Sequence, residues 1–304
     1  MSERISLTGG GYTAVIDTAH GADCVSLRCA RFGARILREC EGERDNPYLY
    51  GMPILFPANR ISGGAFEAEG RTYLFPVNEP KTGCHLHGTL HKSPARVIAQ
   101  SESTLLCRIS SPYPDFPHAF YVDIAYALSK DGLLQTVTVH NASDEAMPLL
   151  LAFHTTFALP FLDGGRAEDV TVLADVGAQI ERNMENYLPT GRLLPEDGVT
   201  RAFLDGTFSP VEHAISRHYY AKGEGRILLT DERQGVRLVY ENGEGYPFRL
   251  FYNGGAKDFI CLEPMTAMAN APNAPFDREA TGFFLLSAHS DARYHSKIYL
   301  EAIR

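Results

Sequence analysis

The segment YVDIAYALSKDGLLQTVTVHN, residues 121–141, has the most regular pattern in the chain. Apolar side chains occupy every second position on both sides of the turn Lys130-Asp131-Gly132. Alternation with a period of two is typical of antiparallel strands that bury one face. The segment therefore predicts a β-hairpin with strands over 121–129 and 133–141. The alternating side chains are Val122, Ile124, Tyr126, Leu128, Val137 and Val139.

Short β-rich runs separated by turns continue on both sides of this hairpin, at intervals of 8–12 residues that are typical of a β-sandwich or barrel. The sequence shows no sustained helical period, no heptads and no internal repeat. We predict one all-β domain over residues 1–304, with one short helix over 210–216 and a closing hairpin made by the last two strands. The further predicted strands are 12–17, 22–29, 34–37, 95–101, 104–109, 147–159, 226–230, 236–240, 248–252, 259–262, 282–288 and 294–300.

Composition excludes several classes of function. The net charge of −9 and the absence of a basic run argue against a nucleic-acid partner, because phosphate binding needs clustered lysine and arginine. No apolar run approaches the roughly 20 residues that cross a bilayer, and the N-terminus has no apolar signal region. The six cysteines form no Cys-x-x-Cys pair. Free thiols in the cytoplasm are therefore expected.

A second segment, FPANRISGGAFEAEGRTYLFPVNEPKTGCHLHGTLH (56–91), carries polar groups at both ends of a predicted hairpin. Asn59 and Arg60 precede the hairpin, and His85, His87 and His91 follow it. The arrangement suits a polar ligand that is held and exchanges protons. The H-x-H-x3-H spacing also occurs in metal sites, but no carboxylate follows closely, so we predict no metal and treat His85 and His91 as ordinary loop residues.

Two further polar groups, His154 and Glu263, interrupt apolar strands. An ionised glutamate left unpaired in a β-core costs several kcal/mol, so Glu263 is expected in a polar pocket or beside a cation. Taken singly, His154 reads as a core histidine, Glu263 as a structural partner of Arg60, and Arg60 as a loop anchor. Taken together with His87, they provide a base, an acid and a clamp that move protons without a cofactor.

The ordered set of motifs resembles the aldose 1-epimerase (galactose mutarotase) superfamily over most of the chain, from about Gly21 to Asn273. The resemblance implies a large antiparallel β-supersandwich with few short helices, in agreement with the strand pattern. The motifs are Asn59-Arg60-Ile61, Gly64-x-Phe66, Gly70-x-x-Tyr73-x-Phe75, Asn78, Leu86-His87-Gly88, His154-x-x-Phe157, Pro189-Thr190-Gly191 with Pro195 and Gly198, and Cys261-Leu262-Glu263-Pro264-Met265.

The resemblance also implies a function. Glu263 would be the general base that takes the proton of the anomeric hydroxyl, and His154 the general acid that protonates the ring oxygen. Arg60 and His87, with Asn59 beside them, would bind the sugar. Ring opening and closure would then interconvert the α and β anomers of an aldose, with no metal or other cofactor. Glu263 and His154 must therefore face one cleft; a separation well beyond ~10 Å would exclude the mechanism.

The chain departs from the mutarotase pattern at two specificity positions. It reads Arg217-His218-Tyr219-Tyr220 where galactose mutarotases carry Asp-His-Asn-Phe, and Leu250 where they carry glutamine. If Arg217 faces the pocket, a phosphorylated or acidic sugar is favoured, which makes a hexose-6-phosphate 1-epimerase one alternative. A non-catalytic carbohydrate-binding protein is another, although a pure binder needs neither His154 nor Glu263.

Aromatic side chains near these motifs are expected either to stack on a sugar face or to pack in the core. The candidates are Tyr48, Tyr50, Tyr113 and Phe116.

Overall fold

The computed structural model describes residues 4–40, 42, 46–110, 116–223 and 225–303. The first half of the chain forms short antiparallel strands connected by tight turns. These are β1 (Arg4–Gly9), β2 (Tyr12–Asp17), β3 (Asp23–Cys29), β4 (Ala34–Arg35), β5 (Ile54–Leu55), β6 (Arg60–Ser62), β7 (Ala65–Ala68), β8 (Arg71–Leu74), β9 (Cys84–Leu86), β10 (Arg96–Gln100), β11 (Thr104–Ser110), β12 (Phe120–Ser129) and β13 (Gly132–Asn141).

The second half adds the remaining strands and the α-helix of the described residues. Its elements are β14 (Met147–Leu149), β15 (Ala152–Phe153), β16 (Thr155–Ala158), β17 (Val170–Ala174), β18 (Val176–Arg182), β19 (Pro189–Leu194), α1 (Gly198–Asp205), β20 (Ser216–Ala221), β21 (Arg226–Asp231), β22 (Val236–Asn242), β23 (Phe248–Tyr252), β24 (Phe259–Met265), β25 (Phe284–Leu286) and β26 (Asp291–Ala302). Short 3-10 turns span Ala30–Phe32, Pro47–Leu49, Leu90–Lys92, Ala167–Asp169 and Arg278–Thr281.

Two eight-stranded antiparallel sheets form the body of the structure. Sheet 1 has the order β10-β11-β12-β13-β26-β22-β21-β17, and sheet 2 the order β19-β18-β20-β23-β24-β15-β5, with β16 also paired to β24. A four-stranded sheet, β1 to β4, and the pairs β6–β9, β7–β8 and β14–β25 complete the fold. The predicted hairpin of β12 and β13 lies in the middle of sheet 1 with full pairing from Phe120–Asn141 to Ser129–Gly132.

Aromatic side chains join the two large sheets face to face. Phe157 of sheet 2 packs on Tyr240 of sheet 1 with ring centroids 5.3 Å apart, and the Thr155 hydroxyl lies 2.9 Å from the Tyr240 hydroxyl. Helix α1 covers the end of this interface, where Phe203 stacks on Phe251 at 4.6 Å. Aligned sheets that bury their facing side chains form a sandwich core. The predicted all-β supersandwich is therefore confirmed.

The predicted helix over 210–216 is wrong. The Asn253 amide donates hydrogen bonds to the carbonyls of Pro210 and His213, which holds that segment as a loop. The helix lies at Gly198–Asp205 instead, where the Asp197 side chain accepts the Thr200 backbone N–H and Gly206 ends the helix at φ 72°. An N-terminal aspartate and a C-terminal glycine are preferred helix ends.

Two strand predictions also need correction. The last two strands do not form a hairpin, because β25 pairs with β14 while β26 lies between β13 and β22. The single strand predicted over 147–159 is divided into β14, β15 and β16, and His154 lies in the break between the last two. The proline-rich segment 110–117 falls largely on residues 111–115, outside the described residues.

Candidate active site

One face of sheet 2 carries a row of side chains that ends in a buried carboxyl group. Ile180 lies opposite His218, His218 opposite Leu250, and Leu250 opposite Glu263 in neighbouring strands. Because directly opposed residues point to the same side of a sheet, these four side chains share one face. It is the face turned away from sheet 1. Strand β24 is buried along its whole length, and Glu263 is only 2% exposed.

His154 approaches Glu263 from the break between β15 and β16. Its backbone N–H donates to the Pro53 carbonyl at 2.9 Å, which fixes the break. Its Nε2 lies 3.3 Å from the Glu263 Oε1, and the side chain is 6% exposed. The structure thus brings together two groups that are more than a hundred residues apart in the sequence.

Burial separates the proton affinities of this pair. It raises the pKa of Glu263 to about 8, although the charges of Arg182 and Arg60 act in the opposite direction. Burial also lowers the pKa of His154 to about 4. A low-polarity environment disfavours the charged form of each group, which explains both directions. Between these two values the pair holds a single proton, which lies mainly on Glu263.

Neutral imidazoles and a tyrosine surround the pair. The His87 ring lies 5.4 Å from the His154 ring, and the Tyr48 ring lies 4.4 Å from His87 and 4.9 Å from His91. Burial holds the pKa of His87 well below its usual value and lowers the pKa of His91 to about 3. These histidines therefore present polar but uncharged ring nitrogens at neutral pH.

Arg60 is held at the rim by Glu79. Its Nε and Nη2 donate to the two Glu79 carboxylate oxygens at 2.6 and 2.8 Å, and its guanidinium lies 4.6 Å from the Tyr187 ring centroid. Asn59 adopts φ 54°, and its side-chain oxygen accepts the Arg60 backbone N–H. The Asn59 carbonyl also accepts the His87 N–H at 2.9 Å. Asn59 thus positions the two neighbouring site residues.

A second arginine, Arg182, was not expected from the sequence. It ends β18 two positions beyond Ile180, is 9% exposed, and donates from Nη2 to the Ser216 carbonyl and hydroxyl at 2.6 and 2.9 Å. Its guanidinium lies 5.9 Å from the Tyr187 ring centroid, so Tyr187 contacts both arginines. The segment 163–207 is rich in glycine and proline, which favours turns over strands, and no motif in it indicates a buried arginine.

Comparison with known proteins identifies the family of the chain. The family model described as aldose 1-epimerase matches residues 3–291. The chain belongs to the aldose 1-epimerase family. It superposes on a galactose mutarotase-like protein from Clostridium acetobutylicum with a TM-score of 0.92 and 28% identity, over 99% of this chain and 96% of that one.

Two other relatives match this aldose 1-epimerase family member with a lower TM-score or over a smaller part of the chain. A putative aldose 1-epimerase from Escherichia coli K12 shares the fold with a TM-score of 0.82 at 19% identity, over 99% of this chain and all of that one. Human galactose mutarotase is 29% identical over 169 residues, which are 53% of this chain and 46% of the human protein.

The structure does not place Arg217 with the other predicted site residues of this family member. Arg217 lies opposite Phe251, on the face of sheet 2 that packs against α1 and sheet 1, so it points away from Glu263. Its Nη1 donates to Asp197 and to the Gln179 side-chain oxygen, both at 2.8 Å. The premise that Arg217 faces the pocket is therefore wrong, and the buried cation on the Glu263 face is Arg182.

The three histidines of the H-x-H-x3-H spacing form no metal-ligand group within the described part of the chain. The His85 Nδ1 is hydrogen-bonded to the Pro76 carbonyl at 2.7 Å. A different set, His154, Cys261 and Glu263, places one ligand atom each within 4.8 Å of the others. Metal binding would require the Cys261 thiolate, whereas burial raises the pKa of that thiol well above its usual value. The set is thus better suited to proton transfer.

The aromatic candidates have different positions. Tyr48 lies among the site histidines, with its ring 6.1 Å from His154. Tyr50 packs under the Arg38 guanidinium at 4.6 Å, and Phe116 packs on Phe56 and Phe120. Tyr113 lies outside the described residues.

Proposed function

We propose that this chain catalyses the interconversion of the α and β anomers of an aldose. The observation that carries the proposal is the 3.3 Å approach of His154 Nε2 to Glu263 Oε1, with both side chains buried. Nearby lie neutral imidazoles and two guanidiniums, which are suited to hydrogen bonding with sugar hydroxyls. The human relative is a galactose mutarotase.

The reaction requires one proton to be accepted and one to be donated, and the pair can do both. Glu263 takes the proton of the anomeric hydroxyl while His154 gives its proton to the ring oxygen; the C1–O5 bond breaks and the C1=O1 bond forms. Rotation about C1–C2 and the reverse transfers close the ring on its other face. The two oxygens are bonded to the same carbon, so a base and an acid in mutual contact can serve both. No electrons are transferred, and the proton count of the pair is unchanged.

The reactive form has the single proton on His154 and a carboxylate at Glu263. The positive charges of Arg182 and Arg60 favour that carboxylate. Substrate hydroxyls that replace water around the pair add hydrogen bonds to it. We assign Arg60 and His87 to sugar binding, with Asn59 as the residue that orients them.

An enzyme fits these contacts better than a carbohydrate-binding protein, because a binder gains nothing from an acid and a base that touch. The argument for a sugar-phosphate epimerase rested on Arg217, whose guanidinium is bound to Asp197 on the other face of the sheet.

We further propose that the reaction takes place in the cytoplasm. The six cysteines are free thiols, as expected in a reducing compartment. No helix of the described residues is long and apolar enough to span a membrane.

The direct test is the rate of anomer exchange, followed by polarimetry of freshly dissolved α-anomers and by NMR exchange spectroscopy at equilibrium. Neutral hexoses, hexuronates and glucose 6-phosphate form the panel. At least one aldose must exchange faster than its spontaneous rate in proportion to enzyme concentration. Spontaneous rates for every sugar in the panel would rule out the proposed activity.

The pH dependence of kcat/KM is expected to be bell-shaped, with a plateau between about pH 4 and pH 8. Below the pKa of His154, about 4, both members of the pair are protonated and no base remains. Above the pKa of Glu263, about 8, both are deprotonated and no acid remains. Initial rates in overlapping buffers, corrected for spontaneous mutarotation at each pH, measure the two limbs. A rate that followed a single ionisation near pH 6.5 would contradict a buried pair.

Replacing Glu79 with glutamine is expected to raise KM with little change in kcat. The Arg60 guanidinium would lose its carboxylate partner, and hydrogen bonds to charged groups contribute about 1.5–3 kcal/mol, or roughly 10–100-fold in an equilibrium. Steady-state kinetics on the preferred sugar measures the two constants separately. The exposed Glu168→Gln is the matched control, since its carboxylate pairs only with Arg166 at 3.7 Å among described residues. A loss confined to kcat would show that Arg60 acts in the transition state instead.

A further inference from the structure

Arg182 is a buried cation without an ion-pair partner. No carboxylate oxygen of the described residues lies within 4.0 Å of its guanidinium, and its assigned hydrogen bonds go to the uncharged Ser216 carbonyl and hydroxyl. Arg60, by contrast, is neutralised by Glu79. A buried charge with no compensating charge is costly, so such groups are found where a ligand or an ion provides the opposite charge.

The catalytic pair does not balance this charge. Whether its one proton lies on Glu263 or on His154, the pair has no net charge over the plateau between the two pKa values of about 8 and about 4. The surrounding histidines are neutral as well. His218 lies opposite Ile180, two positions before Arg182, and burial lowers its pKa to about 3. The site therefore has one uncompensated positive charge near neutral pH.

Arg182 lies on the same face of sheet 2 as Glu263, three strands away from it. Arg182 and Glu263 point to the same face of sheet 2 from β18 and β24, with β20 and β23 between them. Three interstrand steps of roughly 4.8 Å separate the two strands by about 14 Å, and both side chains extend over the sheet. His218 and Leu250 form the floor between them. A sugar whose anomeric carbon lies at Glu263 would extend over this floor with its other end toward Arg182.

We propose that the preferred substrate is an aldose with one negative charge, a carboxylate on the end remote from C1, and that Arg182 binds this carboxylate. The inference rests on the proposed function, because it places C1 at the His154–Glu263 pair. A guanidinium forms paired hydrogen bonds with a carboxylate, which gives both charge and orientation. A phosphate ester carries close to two charges at neutral pH, more than the single unpaired cation balances.

Anomer exchange of glucuronate and galacturonate, compared with glucose, galactose and glucose 6-phosphate, tests the inference. The expected kcat/KM for a hexuronate exceeds that for the matching neutral hexose by at least tenfold. Arg182→Gln is expected to reduce this preference at least tenfold. Arg182→Lys, which keeps the positive charge but not the paired hydrogen-bond donors of the guanidinium, is expected to retain part of it. Arg217→Gln removes one positive charge from the opposite face of the sheet and is expected to leave the preference unchanged.

Several outcomes would overturn the inference. Neutral hexoses that exchanged as fast as hexuronates or faster, with both slowed alike in Arg182→Gln, would contradict it. Arg182 would then support the structure of the site and would not bind the substrate carboxylate. Faster exchange of glucose 6-phosphate than of hexuronates would assign the cation to a phosphate.

Binding provides a readout that does not depend on catalysis. Titration calorimetry of hexuronate on Glu263→Gln, with and without Arg182→Gln, measures recognition when turnover is absent. Tighter binding of hexuronate than of hexose, lost with Arg182→Gln, supports the inference even if no sugar exchanges and the proposed function fails. Equal binding of both sugars contradicts it. Circular dichroism and the charge-retaining Arg182→Lys distinguish lost recognition from lost folding.

Discussion

Replacing Glu263 with glutamine is expected to lower kcat for anomer exchange by about 10²–10⁴-fold while substrate binding is retained. A positioned group that transfers a proton in the transition state contributes a factor of this size. Glutamine keeps the shape and one acceptor oxygen but takes no proton. Because Glu263 is 2% exposed and burial raises its pKa to about 8, the neutral amide replaces a group that is mostly uncharged at pH 7, and the fold should be preserved.

The comparison requires a matched carboxylate and the partner variant. Glu168→Gln makes the same chemical change at a side chain that is 60% exposed, and it should leave kcat unchanged. His154→Gln should lower kcat by a similar factor, and the double variant should be little worse than either single one, because the acid and base act as a unit. If Glu263→Gln retained more than a tenth of the wild-type kcat in NMR exchange measurements, Glu263 could not be the base.

The sequence predicted the parts of the fold that follow local alternation. Strands such as Tyr12–Asp17 and Phe248–Tyr252 were predicted with their observed bounds, since apolar residues at every second position report directly on a buried face. The helix at Gly198–Asp205 was missed because its signals are its end residues, Asp197 and Gly206, within a segment rich in turn formers. The failure of the closing hairpin has another cause: pairing with β14 and β13 is decided across the fold, not by the turn between β25 and β26.

The candidate site divides in the same way. Glu263, His154, Arg60 and His87 were identified because each interrupts apolar or turn-like sequence, and the structure brings them together. Asn59 lies with them but orients its neighbours through its carbonyl and side-chain oxygens.

The two arginines show the limit of residue type as a guide. Arg217 and Arg182 are both strand residues of sheet 2, and one position of register decides which face a side chain takes. Register follows from the pairing of β18, β20 and β23, with register shifts between Val176 and Gln179 and between Ile180 and Arg182 that no short motif records. The sequence analysis thus expected an arginine beside the site but assigned it to Arg217, whereas the arginine on the Glu263 face is Arg182.

Acid is expected to destabilise this protein well above the pH at which carboxylates titrate. Burial lowers the pKa of His91 and of His218 to about 3, and that of His154 to about 4. In the unfolded chain a histidine titrates near 6.5, so below that pH the unfolded state binds more protons than the folded state. The stability that each neutral imidazole provides is complete above pH 6.5 and is lost progressively as the pH falls toward its folded value.

The destabilisation is a substantial fraction of the stability of a typical domain. Lowering the pH from 7 to 5 costs about 2 kcal/mol for each histidine whose folded pKa lies near 3, against a usual total of about 5–15 kcal/mol. Glu263 has the opposite sign: its raised pKa makes stability greatest below the unfolded value near 4.5 and lower as the pH rises through about 8, so acidification restores part of it. Histidines outnumber this one carboxyl, and the net change is a loss.

His218→Leu isolates one histidine's share. Both ring nitrogens of His218 are buried without a hydrogen-bond partner among the described residues, and the ring packs on Phe248 at 5.8 Å, so leucine should fold with unchanged or slightly greater stability at pH 7. Between pH 7 and 5 the variant should lose about 2 kcal/mol less than the parent, because it has one fewer group to protonate on unfolding. Urea denaturation at both pH values measures this difference, and His289→Gln, at a side chain that is 63% exposed, is the control. If His218→Leu loses as much stability as the parent on acidification, His218 does not stay neutral in the fold, and the uncompensated charge assigned to Arg182 would have to be reconsidered with it.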